Sequence, residues 1–106
     1  MTELYNPKPL EDVLFEIRLE RHEQDKQWGG PAHDDTHTPY DWLSYMGHQA
    51  DLISQALSSN GFYGYNAQNA SLLDNVAVCS LTRQHFIKIA ALAVAAVESL
   101  DRKNKS

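Results

Sequence analysis

One cysteine, Cys79, occurs among 106 residues. No disulfide can close within the chain, so packing alone has to hold the fold, and the scarcity of thiols suits a reducing compartment. Basic residues are also few: nine Lys and Arg stand against fourteen Asp and Glu, a net charge of −5. An acidic chain offers no electrostatic footprint for long nucleic acid, although a single nucleotide in a local pocket stays compatible with it. The longest apolar run, IAALAVAAV from Ile89 to Val97, falls well short of the roughly 20 residues that cross a bilayer. The opening MTELYNPKP has no basic stretch leading into an apolar one, so no secretory leader is expected. In that context the sequon Asn69-Ala70-Ser71 reads as chance. No alternating strand pattern, internal repeat or low-complexity tract is visible. Together these absences point to a cytoplasmic protein without a membrane span.

What is present fits one small folded domain. Apolar residues make up 42% of the chain, enough for a core but a modest one at this length, so a partner subunit would help. Residues 1–8, with Pro7 and Pro9, read as a loose arm, residues 9–102 as a single helical domain and 103–106 as a tail. Pro9 suits a first helical turn, with Glu11 and Asp12 near the positive end of the dipole. Leu10, Val13, Leu14 and Ile17 recur with helical spacing. The pattern turns polar at LERHEQDKQ, and Gly29-Gly30-Pro31 stops the first helix.

A second helix has a clear start. Thr38 is an N-cap, Pro39 fits the first helical position, and Asp41 stands where an acid completes a capping box. Trp42, Met46, Ala50, Ile53 and Leu57 form its apolar stripe, widened by Leu43, Tyr45 and Ala56. Ser58-Ser59-Asn60-Gly61 ends it. Residues 61–79 are an unusually long connection for a small domain, in which SLLDNVAV can form a short helix. The third helix is expected from Ser80 to about Arg102. Its centre is apolar on all sides, and alanines at 90, 91, 93, 95 and 96 let neighbours approach closely. The expected architecture is therefore all-α: a small bundle of three principal helices, assembled as a dimer or a higher homo-oligomer.

Several residue groups can carry chemistry. His33-Asp34-Asp35-x-His37 places metal-ligand types in one short loop, although a solvated turn whose Asp side chains cap local amides explains it too. His48 and Asp51 share a helix face, and His85 can face them across a bundle, with Glu16 and Glu20 adding oxygen ligands. The alternative is a set of separate polar residues at the bundle mouth. Trp28, followed by two glycines, can stack on a nucleobase or plug the open end of the bundle. Tyr63 and Tyr65 suit a second aromatic wall or an interface. Arg21, His22 and Lys26 read as a solvated helix end.

The segments EIRLERHEQDKQWGG, DWLSYMGHQADLISQAL and RQHFIKIAALAVAAVESLDRK together cover about half of the chain. They resemble small MazG-like proteins of bacteria and phages, members of the all-α nucleoside triphosphate pyrophosphohydrolases. Such relatives show a run like E-R-x-x-Q-D-x-K-W-G, a Trp-Leu opening on the second helix and a V-A-A-V-A-like third helix. The resemblance implies Mg²⁺ held by clustered carboxylates that bind a triphosphate and activate water.

This chain departs from that set. Gly47–Leu52 has no Glu pair, and Arg83–Lys88 has no acid. Only Glu16, Glu20 and Asp51 remain as helical carboxylates. The leading expectation is thus a nucleotide-binding protein with weak or absent Mg²⁺-dependent hydrolysis, such as a phage protein that sequesters a nucleotide or a nucleotide signal. Trp28, His33, Asp34, Asp35, His37 and Arg83 are its candidate ligand contacts, Arg83 because a phosphate chain wants a forked cation. One alternative is a pyrophosphohydrolase using Mn²⁺ or Zn²⁺ at His48, Asp51 and His85 with Glu16 or Glu20. Another is a protein-interaction module without a small-molecule site.

Overall fold

The computed structural model describes residues 7–62 and 75–105. Among them the chain is entirely helical, with α1 at Pro7–Trp28, α2 at Gly30–Asp34, α3 at Pro39–Ser59 and α4 at Val76–Lys105. Tyr63, Tyr65 and most of the 61–79 connection lie outside the described residues. Three long helices are present as expected, and the fourth is a single turn within the stretch expected to be a loop.

The α1–α2 elbow rests on two glycines. Gly29 has φ 104° and Gly30 φ 72°, a left-handed region that side chains with a Cβ rarely enter. Pro31 then fits the first turn of α2 because a missing N–H costs nothing there.

At α3 the expected capping box is complete. Asp41 N–H donates to Thr38 Oγ1 at 3.3 Å, and Thr38 N–H donates to Asp41 Oδ2 at 2.8 Å. The far end closes as the sequence indicates: Gly61 has φ 85°, and the N–H groups of Asn60 and Phe62 both reach Leu57 O.

Two boundaries differ from expectation. α1 begins at Pro7, which moves Glu11 and Asp12 out of its first turn. α4 begins four residues before Ser80 because Asn75 acts as its cap, with Oδ1 accepting from Val78 N–H at 3.1 Å. It continues through Asp101, Arg102 and Lys103 rather than stopping there.

α4 is the central element. It packs against α1 along one side and α3 along another, whereas the backbones of α1 and α3 stay apart. Trp42 on α3 meets Leu92, Ala95 and Ala96 on α4, with Met46 packed against them. The small alanines allow that approach. The expected stripe on α3 is only partly covered: Trp42 and Ile53 are buried, whereas Ala50 and Leu43 are exposed. Likewise Leu10 and Leu14 on α1 remain 54% and 52% exposed, so the apolar face of α1 is half-covered within one chain.

Candidate functional site

The Gly29–Gly30 elbow turns α2 back so that the end of α1, the α2 turn and the first half of α3 converge. A pocket of about 380 Å³ lies there, lined by Trp28, His33, His37, Ser44, Tyr45, His48, Gln49 and Leu92. Aromatic walls with a few polar groups are typical of small-molecule sites.

The two histidines of HDD-x-H face each other, with His33 Nε2 and His37 Nε2 3.2 Å apart. The His37 ring is set edge-on to Trp42, at 5.2 Å between centroids, and to Tyr45, at 5.3 Å. On its other side, His37 Nδ1 lies 3.8 Å from Asp41 Oδ2. The Lys103 ammonium donates to the His37 carbonyl, which ties the loop to the end of α4.

The two aspartates of the same motif point elsewhere. Asp34 is buried, with Oδ2 3.9 Å from Arg21 Nη2. Burial raises its pKa above the ordinary carboxylate value, with Arg21 opposing that rise. Asp35 accepts from Arg102 Nη2 at 2.8 Å and from Ser99 Oγ at 3.0 Å. The hydrogen bond from Arg102 holds the Asp35 pKa low. The expected five-residue ligand loop is therefore corrected. A helical turn puts the histidines on the pocket side and the carboxylates against the cations of α1 and α4.

Arg83 is not at this pocket. It donates Nη1 to Glu16 Oε2 at 2.8 Å and Nη2 to Glu16 Oε1 at 2.7 Å, and this pair keeps the Glu16 pKa low. Glu20 lies 3.7 Å from Lys88 Nζ. These four residues line a separate groove between α1 and α4.

The expected metal set is not brought together either. Glu16 and Glu20 are on α1 and His48 and Asp51 on α3, two helices whose backbones stay apart. His85 instead donates Nδ1–H to Gln49 Oε1 at 2.8 Å. Among the described residues no three or more His, Cys, Asp or Glu side chains gather as a metal cluster. A Mg²⁺ site of the kind the resemblance implies does not fit at Glu16 and Glu20, because that ion wants several oxygens and these two carboxylates face Arg83 and Lys88.

Tyr45, Ser44 and Gln49 carry no sequence mark of a pocket: helical spacing places Tyr45 in an apolar stripe, and the hydrogen bond between Gln49 and His85 shows only in the structure.

No family model, curated protein or solved structure matches the chain. Among the described residues no helix is long and apolar enough to cross a membrane.

Proposed function

We propose that the chain binds a nucleotide, taking its base into the α1–α2–α3 pocket, on a MazG-like helical scaffold with weak or absent Mg²⁺-dependent hydrolysis. The observation that carries this reading is the pocket lining: Trp28 and Tyr45 supply aromatic faces, and Ser44, His48 and Gln49 supply hydrogen-bonding groups. Every base has a π-face to stack and polar edges to read. Among the described residues no Lys or Arg lines the pocket, so in this reading the phosphates point outward and Arg83 is not their clamp.

The carboxylates support weak or absent hydrolysis. Glu16 and Glu20 meet Arg83 and Lys88, so among the described residues these two acids do not form an oxygen-rich cradle for a metal-bound triphosphate. The reading of a nucleotide sequestered intact, including a signalling nucleotide, rests on that combination.

The scaffold is taken to work as a homo-oligomer. Phe15 and Leu19 on α1 and Phe86 and Val97 on α4 are 50–58% exposed. Phe86 and Val97 are eleven residues apart and so share one side of α4. Exposed apolar side chains of this size on a small domain support a surface that a second copy covers. Light scattering on the purified chain checks this; a monomer at all concentrations removes the assembly.

The functional test is a single incubation with a mixed nucleotide pool, Mg²⁺ and Mn²⁺, followed by mass spectrometry of the free and protein-bound fractions. One nucleotide should leave the free pool and return intact on denaturation. Conversion of triphosphates to monophosphates would replace binding by catalysis. A pool unchanged in both fractions would defeat the proposal.

A further inference from the structure

His33 and His37 form a pair that the nucleotide reading does not need. We infer that they are a two-histidine binding site for a borderline transition-metal ion of the Zn²⁺ type, at the wall of the pocket. The inference stands independently of any nucleotide.

The first argument is the span of the pair. A Zn–imidazole bond is about 2.0–2.1 Å, and two such bonds at a tetrahedral angle hold their nitrogens about 3.3 Å apart. The two Nε2 atoms stand 3.2 Å apart, so an ion can seat between them with little movement of either ring. Without metal the same spacing is bridged by one shared proton, Nε2–H to Nε2. An ion displaces that proton and takes both lone pairs.

The second argument is support around the ligand. His37 Nδ1 lies 3.8 Å from the Asp41 carboxylate, which places a negative group behind the imidazole, the position that supporting carboxylates take at metal-ligating histidines. Asp41 is itself fixed, since Oδ2 accepts from Thr38 N–H at 2.8 Å. Trp42 and Tyr45 hold the ring edge-on at 5.2 and 5.3 Å. The ligand rotamer is thus set before any ion arrives.

The third argument is ligand chemistry. Two neutral imidazoles suit Zn²⁺, Ni²⁺ or Cu²⁺ and not Mg²⁺. Asp34 and Asp35, the hard donors of the same motif, are directed at Arg21 and Arg102. Among the described residues no third side chain completes the set. The remaining positions therefore open towards solvent and the pocket, where an oxygen or nitrogen donor of a guest can occupy them.

The probe is Zn²⁺ itself, titrated calorimetrically into the chelator-treated full chain, with Co²⁺ as the optical reporter. The wild type should take one ion per chain. His33→Gln and His37→Gln should each weaken it by roughly 100-fold or more, beyond what loss of a supporting carboxylate costs. His33 is exposed, so its substitution leaves the fold intact, as circular dichroism will verify. Asp41→Asn should weaken binding by about 10-fold, and His22→Gln on α1 should leave it unchanged. Saturating Mg²⁺ should not compete. Binding that survives His33→Gln, binding lost with His22→Gln, or no binding by the wild type overturns the site.

Discussion

Arg83 on α4 holds Glu16 on α1 in a two-point grip, with both guanidinium Nη atoms within 2.8 Å of the carboxylate oxygens. The ion pair joins α1 to the central helix. Arg83→Ala should therefore leave ligand capture in the α1–α2–α3 pocket unchanged. It should lower the thermal midpoint slightly in dilute buffer, and high salt should erase the difference, since an exposed pair is screened. Loss of ligand binding in this variant would return Arg83 to the site.

Acid should weaken the fold through Glu16 and Asp35 and spare it through Asp34. The Arg83 hydrogen bond lowers the Glu16 pKa from its ordinary 4.5, and Arg102 lowers that of Asp35 from 3.8. A lowered folded value means stabilisation that is complete above the ordinary value and lost as pH falls through the lowered one. Asp34 has the opposite sign, because burial raises its folded pKa above 3.8. Its charged form costs stability once pH has risen through that raised value, and the cost disappears towards the ordinary value. Asp34→Asn should thus raise the thermal midpoint at neutral pH and lose that advantage in acid. Arg21 is not orphaned by the change, since Glu98 and Asp25 lie 2.8 and 3.0 Å away. Midpoints measured for wild type and Asp34→Asn from pH 7 down to about 3 check both signs; curves that stay parallel contradict them.

Trp28 offers a direct readout of the pocket. It is 43% exposed at the end of α1, so truncation removes little packing. Stacking on a base is worth about 1–3 kcal/mol, and Trp28→Ala should weaken nucleotide binding by roughly 5- to 150-fold. Trp28→Phe should retain most of it. Equilibrium dialysis measures both, and equal affinity in wild type and Trp28→Ala would move the base elsewhere.

The parts legible in the sequence were those fixed by local chemistry. Thr38 with Asp41, the Gly29–Gly30 stop and Gly61 each demand a particular backbone, and each appears where the residues place it. The start expected at Ser80 falls four residues after the observed one because Asn75 follows Asp74 in SLLDNVAV, where an Asn fits a turn as readily as a cap. The site was less legible because direction around a helical turn decides it. HDD-x-H offers four ligating residues in five positions, but one turn of helix sends the histidines and the aspartates to different sides. The proposed grouping of His48, Asp51 and His85 with Glu16 and Glu20 assumed that all three long helices meet. With α4 between α1 and α3, that meeting does not occur.

The same arrangement makes the small residues of α4 a sensitive place to test the fold. Ala91 is fully buried and Ala95 is 2% exposed, and Ala95 belongs to the cluster beneath Trp42. Ala95→Leu adds three carbons where the structure leaves no room and should cost about 1–3 kcal/mol by overpacking. Trp42→Ala removes the aromatic side of the same contact and should cost about 3–5 kcal/mol. The two changes touch one another, so their combination should fall short of additivity as the vacated indole space accepts the new leucine. Urea unfolding of the two single variants and the double variant measures that coupling. Strict additivity would mean that Ala95 and Trp42 do not share a contact, and the α3–α4 packing described above would then be wrong.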